Sequence, residues 1–286
     1  IYKMKKNLTQ SKSWLFHGLQ VFLFLGAILL LGATLVNAQE PAAKTDLIWQ
    51  KERLQEEISQ ARQAYSQNLE DYRNKERLYT IAYDQYASLK TLASLEDLVI
   101  KTKAVALSRD QVLIKYLELL RLNLYASEGV ELSVKNQYLQ LLEENIDALT
   151  THSQALEAKH SQSEVQASLD EFTAFTDLNK MSEQVLALLA ISRLQRIYDL
   201  ALPLKKDVDQ FLGVAESSAL SALLRASEET DKTLTQAKNN LDLLWEKAKK
   251  PNALEGIYRN LTKELNPVYI NLSQSLAYLD ELMNFK

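Results

Sequence analysis

The sequence predicts an all-α protein: an elongated antiparallel helical bundle with long coiled-coil-like helices, preceded by an N-terminal signal or anchor helix. Three observations predict it. Beyond Ala38 the chain carries three Gly and four Pro in 248 residues. This is far below the roughly 12% of average usage and leaves too few turn residues for a sandwich, a barrel or a many-stranded α/β sheet. Apolar residues recur at three- and four-residue intervals along most of that length, the period of one helix face. No Cys is present in the 286 residues, so neither a disulfide framework nor a thiolate metal site is available.

The first 38 residues read as an export segment. They hold Lys3, Lys5, Lys6 and Lys12 and no acid, with Met4 as the expected start. Val21 to Val36 is apolar and uncharged, and Val36-Asn37-Ala38 offers small residues where a signal peptidase reads, placing cleavage between Ala38 and Gln39. An uncleaved anchor over residues 13–36 competes with cleavage, because the apolar run exceeds a signal's usual core of about 7–15 residues. It approaches the roughly 20 residues that span a bilayer. Both readings put the body outside the cytoplasm, since positive flanks stay inside. The body then carries 29 basic and 37 acidic residues, a net charge of −8. That balance argues against nucleic acid, which needs a basic face, and against docking on anionic lipid.

Residues 39–45 are read as a linker, 46–202 as a long helical bundle and 203–286 as a C-terminal helical unit. The first helix is expected from Asp46 to about Ala93. Within it Tyr65, Tyr72, Tyr79 and Tyr86 recur every seven residues, with Tyr83 beside them. A second helix, with a capping start at Ser94 and Asp97, runs from about Leu95 to Ala126. Glu128-Gly129 stops it, because Gly takes the left-handed conformation at no steric cost. A third runs from about Glu131 to Lys159. Ser161 to Asn179 reads as a loop with a short helix near Leu169 to Phe175, although Ser161-x-x-Glu164 and Ser168-x-x-Glu171 both fit a capping box. A fourth long helix reaches about Leu202, where Pro203 breaks or kinks it, and Gly213 ends a short continuation. Ser217 or Ser218 starts a helix to Lys250. A short helix spans about Ala253 to Leu265, and Asn266-Pro267 opens the last one.

Motifs that carry chemistry are sparse. His152 and His160 are eight residues apart, about 12 Å along a helix, too far to share one metal ion whose ligands stand about 2 Å away. They are read as ordinary polar-face or end residues. Arg109-Asp110, Glu143-Glu144 and Asp170-Glu171 bear carboxylates, but helix neighbours point about 100° apart and do not face each other. No Gly-rich phosphate loop and no nucleophile elbow occur. Neither a cofactor nor a metal is expected, nor is enzymatic activity. The tyrosines Tyr65, Tyr72, Tyr79, Tyr83 and Tyr86 are read as a packing face, on which each ring is buried between helices and each hydroxyl stays wet. The alternative is a partner-binding face, an aromatic ladder for sugars or peptides.

The stretch Lys101 to Leu124 (KTKAVALSRDQVLIKYLELLRLNL), behind a signal segment and a long Tyr-rich helix, resembles exported helical proteins of uncultured Candidate Phyla Radiation bacteria. The resemblance covers residues 4–200 and implies a compartment and a fold class, and no chemistry. The expectation is a structural or interaction protein of the bacterial cell envelope, with a protein partner or self-association and a membrane contact through residues 13–36 if they are retained. An extracytoplasmic sensory or ligand-binding helical bundle is the alternative.

Overall fold

A computed structural model of the protein describes residues 42–172, 177–212, 220–250 and 253–284. The signal or anchor segment, with Ala38 and Gln39, lies outside the described residues. The described chain is a helical bundle with eight α-helices and no strand: α1 Ala42–Leu89, α2 Leu92–Ala126, α3 Leu132–Glu157, α4 Gln162–Glu171, α5 Leu178–Leu212, α6 Leu220–Ala248, α7 Ala253–Arg259 and α8 Leu261–Met283. Among the described residues no helix is long and apolar enough to cross a membrane.

Several boundaries differ from expectation, each for a local reason. Ala42 to Thr45, read as linker, is already helical. The first break falls at Lys90, in the left-handed region with φ 51°. Thr91 rather than Ser94 is the cap of α2. The Thr91 hydroxyl accepts from the Ser94 N–H, and the Ser94 hydroxyl accepts from the Thr91 N–H. The Thr91 carbonyl accepts the first helical bond, from Leu95. Helix α4 begins at Gln162, seven residues ahead of the expected Leu169, because the capping box at Ser161 and Glu164 forms. Ser168, the other capping candidate, lies buried inside α4.

Pro203 and Pro267 lie inside α5 and α8 rather than at an end. Proline removes the N–H that would bond the carbonyl four residues earlier. Here those carbonyls belong to Asp199 and Lys263, and prolines and carbonyl residues alike are exposed.

The chain forms two compact units, and Pro203 is not the divide. Of the described residues, unit 1 takes those within 42–122 and 140–179, and unit 2 those within 123–139 and 180–284. In unit 1, Tyr65 of α1 meets Tyr116 of α2 with ring centroids 5.7 Å apart. Val99 and Ala106 of α2, Leu156 of α3, and Val165 and Leu169 of α4 form one apolar cluster. In unit 2 a larger cluster joins Leu188, Ile191 and Leu194 of α5, Leu234 and Leu241 of α6, Ile257 of α7, and Val268 and Leu272 of α8. The turn before α3 belongs to unit 2. There Gly129 holds φ +85°, and a Cβ would stand 2.8 Å from Gln195 Cγ. Both the conformation and the close approach demand Gly.

Candidate functional site

The tyrosine stripe faces inward. Tyr65, Tyr72 and Tyr79 are buried, at 6, 2 and 6% exposure, and Tyr83 and Tyr86 are half-buried. The seven-residue spacing keeps these rings on one side of α1. Tyr79 departs from the expectation of wet hydroxyls, because its oxygen is buried without a hydrogen-bond partner among the described residues. Burial pushes its pKa up to about 12. Over Tyr65, Tyr72 and Tyr79 the stripe is thus a packing seam.

A charged cluster lies in the interior of unit 1, where sequence reasoning expected none. Arg109 and Asp110 of α2 and His152 of α3 are 1, 0 and 8% exposed. The Arg109 fork curls back along its own helix, so that Nε and Nη2 donate to Asp110 Oδ1 at 3.1 and 2.9 Å. This is how neighbours pointing 100° apart still meet: the guanidinium reaches where a second carboxylate could not. His152 Nδ1 lies 2.7 Å from Asp110 Oδ2, and Nε2 lies 3.0 Å from the Ser168 carbonyl oxygen of α4. Phe172, just past α4, places its ring 3.2 Å from the guanidinium carbon, a cation–π contact. The same ring lies 5.8 Å from the imidazole. Arg109 Nη1 is buried without a hydrogen-bond partner among the described residues.

Both atoms facing the imidazole are acceptors, so a ring with protons on both nitrogens satisfies both. The hydrogen bond to Asp110 raises the His152 pKa above its ordinary value, against burial and the charge of Arg109. The arrangement can tie three helices together. It has no open ring nitrogen for proton transfer to a substrate, since each is already directed at a protein oxygen. His152 is therefore neither a polar-face nor an end residue. Its signal was positional: it falls three residues after Leu149 and four before Leu156, on the buried stripe of α3. Arg109 likewise falls between Val105 and Val112 on the stripe of α2.

The other singled-out acids are dispersed. Glu143 pairs with Arg121, Glu144 accepts from Gln140 at 2.8 Å, and Asp170 accepts from Gln166 at 3.0 Å. His160 is exposed at the start of the α4 cap. There Glu164 accepts from the Ser161 and His160 backbone N–H groups at 2.9 and 3.2 Å. The Ser161 bonds, then that of His160, draw the Glu164 carboxyl down to about 2. Among the described residues no group of three or more His, Asp or Glu could hold a metal ion.

Unit 2 contains a half-open cleft of about 560 Å³. Val130, Val134 and Leu188 supply apolar surface, Trp245 an indole, and Glu131, Asp242 and Glu246 carboxylates. Trp245 Nε1 donates to Gln195 Oε1 at 3.2 Å, which fixes the ring. Glu246 is paired with Lys249 at 2.8 Å, and Asp242 is paired with Lys238. The volume falls within the range of small-molecule sites.

Comparison of the chain with protein-family models, with curated proteins and with solved structures finds no match.

Proposed function

We propose that this chain is a non-enzymatic helical structural or interaction protein of the bacterial cell envelope, exported or tethered through residues 13–36. The observation that carries the reading is α1. Its 48 residues correspond to about 72 Å of helix, and its heptad tyrosines are consumed in packing. Its contacts with α2 run in opposite order along the two helices: Tyr65 meets Tyr116, and Asp71 accepts from Ser108 at 3.0 Å. This supports an antiparallel, coiled-coil-like pair. Away from that seam α1 exposes Leu78 and Ile81, at 43 and 48%, and Leu89. Ile48 and Trp49 are exposed near its start as well, and exposed apolar side chains along a long helix suit a protein partner or a second copy.

Two measurements test this reading. Fractionation of expressing bacterial cells, with the intact mass of the recovered protein, should give an extracytoplasmic species. It either begins at Gln39 or retains residues 4–38 on the membrane. Photo-crosslinking from position 78 or 81 should then trap a discrete protein partner, whereas a probe at exposed Glu52 should not. A cytoplasmic species, or no position-dependent crosslink, would sink the proposal.

The unit 2 cleft favours the second reading, a ligand-binding helical module. A small molecule that raises the melting temperature of the parent chain, and not of Trp245→Ala, would replace the structural reading with that one.

A further inference from the structure

We propose that α4 is a proton-held clasp: His152, as an imidazolium, docks it on α2 and α3 and releases it when the ring loses its proton. The proposal stands apart from the cellular role. Helix α4 has ten residues, too short to be stable alone in water. Its attachment to the rest of unit 1 includes a small apolar contact, the Phe172 ring on the Arg109 guanidinium, and a polar contact through His152. The apolar contact is Val165 and Leu169 against Val99, Ala106 and Leu156. The polar contact is the Ser168 carbonyl oxygen on His152 Nε2.

The groups around the ring decide what deprotonation does. From α2, Asp110 faces Nδ1 and Arg109 stands behind it, the first favouring the charged ring and the second opposing it. From α4 comes the Ser168 carbonyl, and beyond that helix the Phe172 ring. The neighbouring positions on the buried stripe of α3 are Leu149, Ser153 and Leu156. On α1, Asp71 is engaged with Lys75 and Ser108. When one proton leaves, Asp110 retains the Nδ1–H and Nε2 becomes a lone pair. That lone pair then faces a carbonyl oxygen at 3.0 Å. Two acceptors at that distance repel, and Nε2 is left as a buried unsatisfied acceptor, while the Ser168 carbonyl keeps the Phe172 N–H. The bond that fails is thus the one to α4, while α2 and α3 remain joined through Asp110.

The sign follows from the raised pKa. The contribution is fully present below the ordinary histidine value near 6.5 and is lost as pH rises through the higher folded value. The test uses the full chain in detergent micelles with ¹⁵N-histidine, the ring signals being assigned by His17→Asn and His160→Asn. His152 should keep two protonated ring nitrogens to a higher pH in the folded chain than in the same chain unfolded in urea. Amide exchange in residues 162–171, corrected for the intrinsic rate, should lose about tenfold or more protection between pH 6.5 and 9.5. Protection in α8 should hold. His152→Gln should abolish the pH dependence in α4; should that variant fail to fold, the parent titration decides alone. A His152 ring that titrates no higher in the folded chain than in the unfolded one, or α4 protection indifferent to pH, overturns the proposal.

Discussion

Unit 2 fills its interior with Leu188, Ile191, Leu241, Leu272 and their neighbours. Its buried hydroxyls are largely bonded back to their own helices, as Thr230 is to Ala226 at 2.7 Å and Ser275 to Asn271 at 2.8 Å. Unit 1 places an arginine, an aspartate and a histidine at comparable depth, with a tyrosine hydroxyl that finds no partner among the described residues. An aliphatic interior gains from area removed from water, at roughly 25 cal/mol per Å², and tolerates imperfect geometry. A charged interior gains only when each polar atom is met, and a missing partner is costly. The first kind of core is insensitive to pH and forgiving; the second is conditional and specifies which helix faces which.

Asp110→Ala should separate the two most sharply. It strands the Arg109 and His152 charges in the interior of unit 1 and should cost about 3–5 kcal/mol. Chemical denaturation reads that loss, and amide exchange should locate the change in α2 to α4. Leu241→Ala removes an unexposed side chain from unit 2 and should cost about 2–5 kcal/mol, by lost transfer energy and a residual cavity. Its effect should be the same at pH 6.5 and 9.5, whereas that of Asp110→Ala should shrink at the higher pH. The parent chain itself should melt lower as pH rises over that interval, by calorimetry, with the loss confined to unit 1. Lys205→Met tests the polar edge of unit 2. Burial lowers the Lys205 pKa, but bonds to Asp209 and Asp231 outweigh it and the net shift is upward. Those aspartates are themselves 46 and 64% exposed. Met keeps the apolar stem, so the change should stay within about 1 kcal/mol. Tyr79→Phe should be the smallest and of opposite sign, a gain of up to about 1 kcal/mol. It deletes a buried hydroxyl that has no partner among the described residues.

Helix content was legible because it is written in periodicity and in the scarcity of Gly and Pro. The seam of α1 was legible for the same reason, since Tyr65, Tyr72 and Tyr79 share one face whatever they touch. Pro203 was expected to break or kink its helix and Pro267 to open one; both lie inside helices, at exposed positions, and exposure is a tertiary property. The start of α4 was misplaced because two capping boxes fit the sequence, and burial of Ser168 chose between them. The Arg109–Asp110–His152 cluster was discounted on correct local geometry. Adjacent helix residues do diverge, but a guanidinium on a long stem can return to its neighbour, and the third member came from 42 positions away. The sequence showed each residue on an apolar stripe; which stripes meet was not in the local pattern.

Because unit 1 is complete at Asn179 while unit 2 needs residues 123–139 together with 180–284, the two cannot mature together on a ribosome. A chain that has grown just past Asn179 holds every residue of unit 1. The strip bearing Val134 and Tyr138 is already synthesised by then, but the cluster it packs against extends to Leu279. While the residues from Ala187 to Leu279 are being made, that strip carries apolar surface whose partners are incomplete. Emergence at about 5–20 residues per second makes this an interval of some seconds, in which a holding chaperone or prompt export would find its substrate.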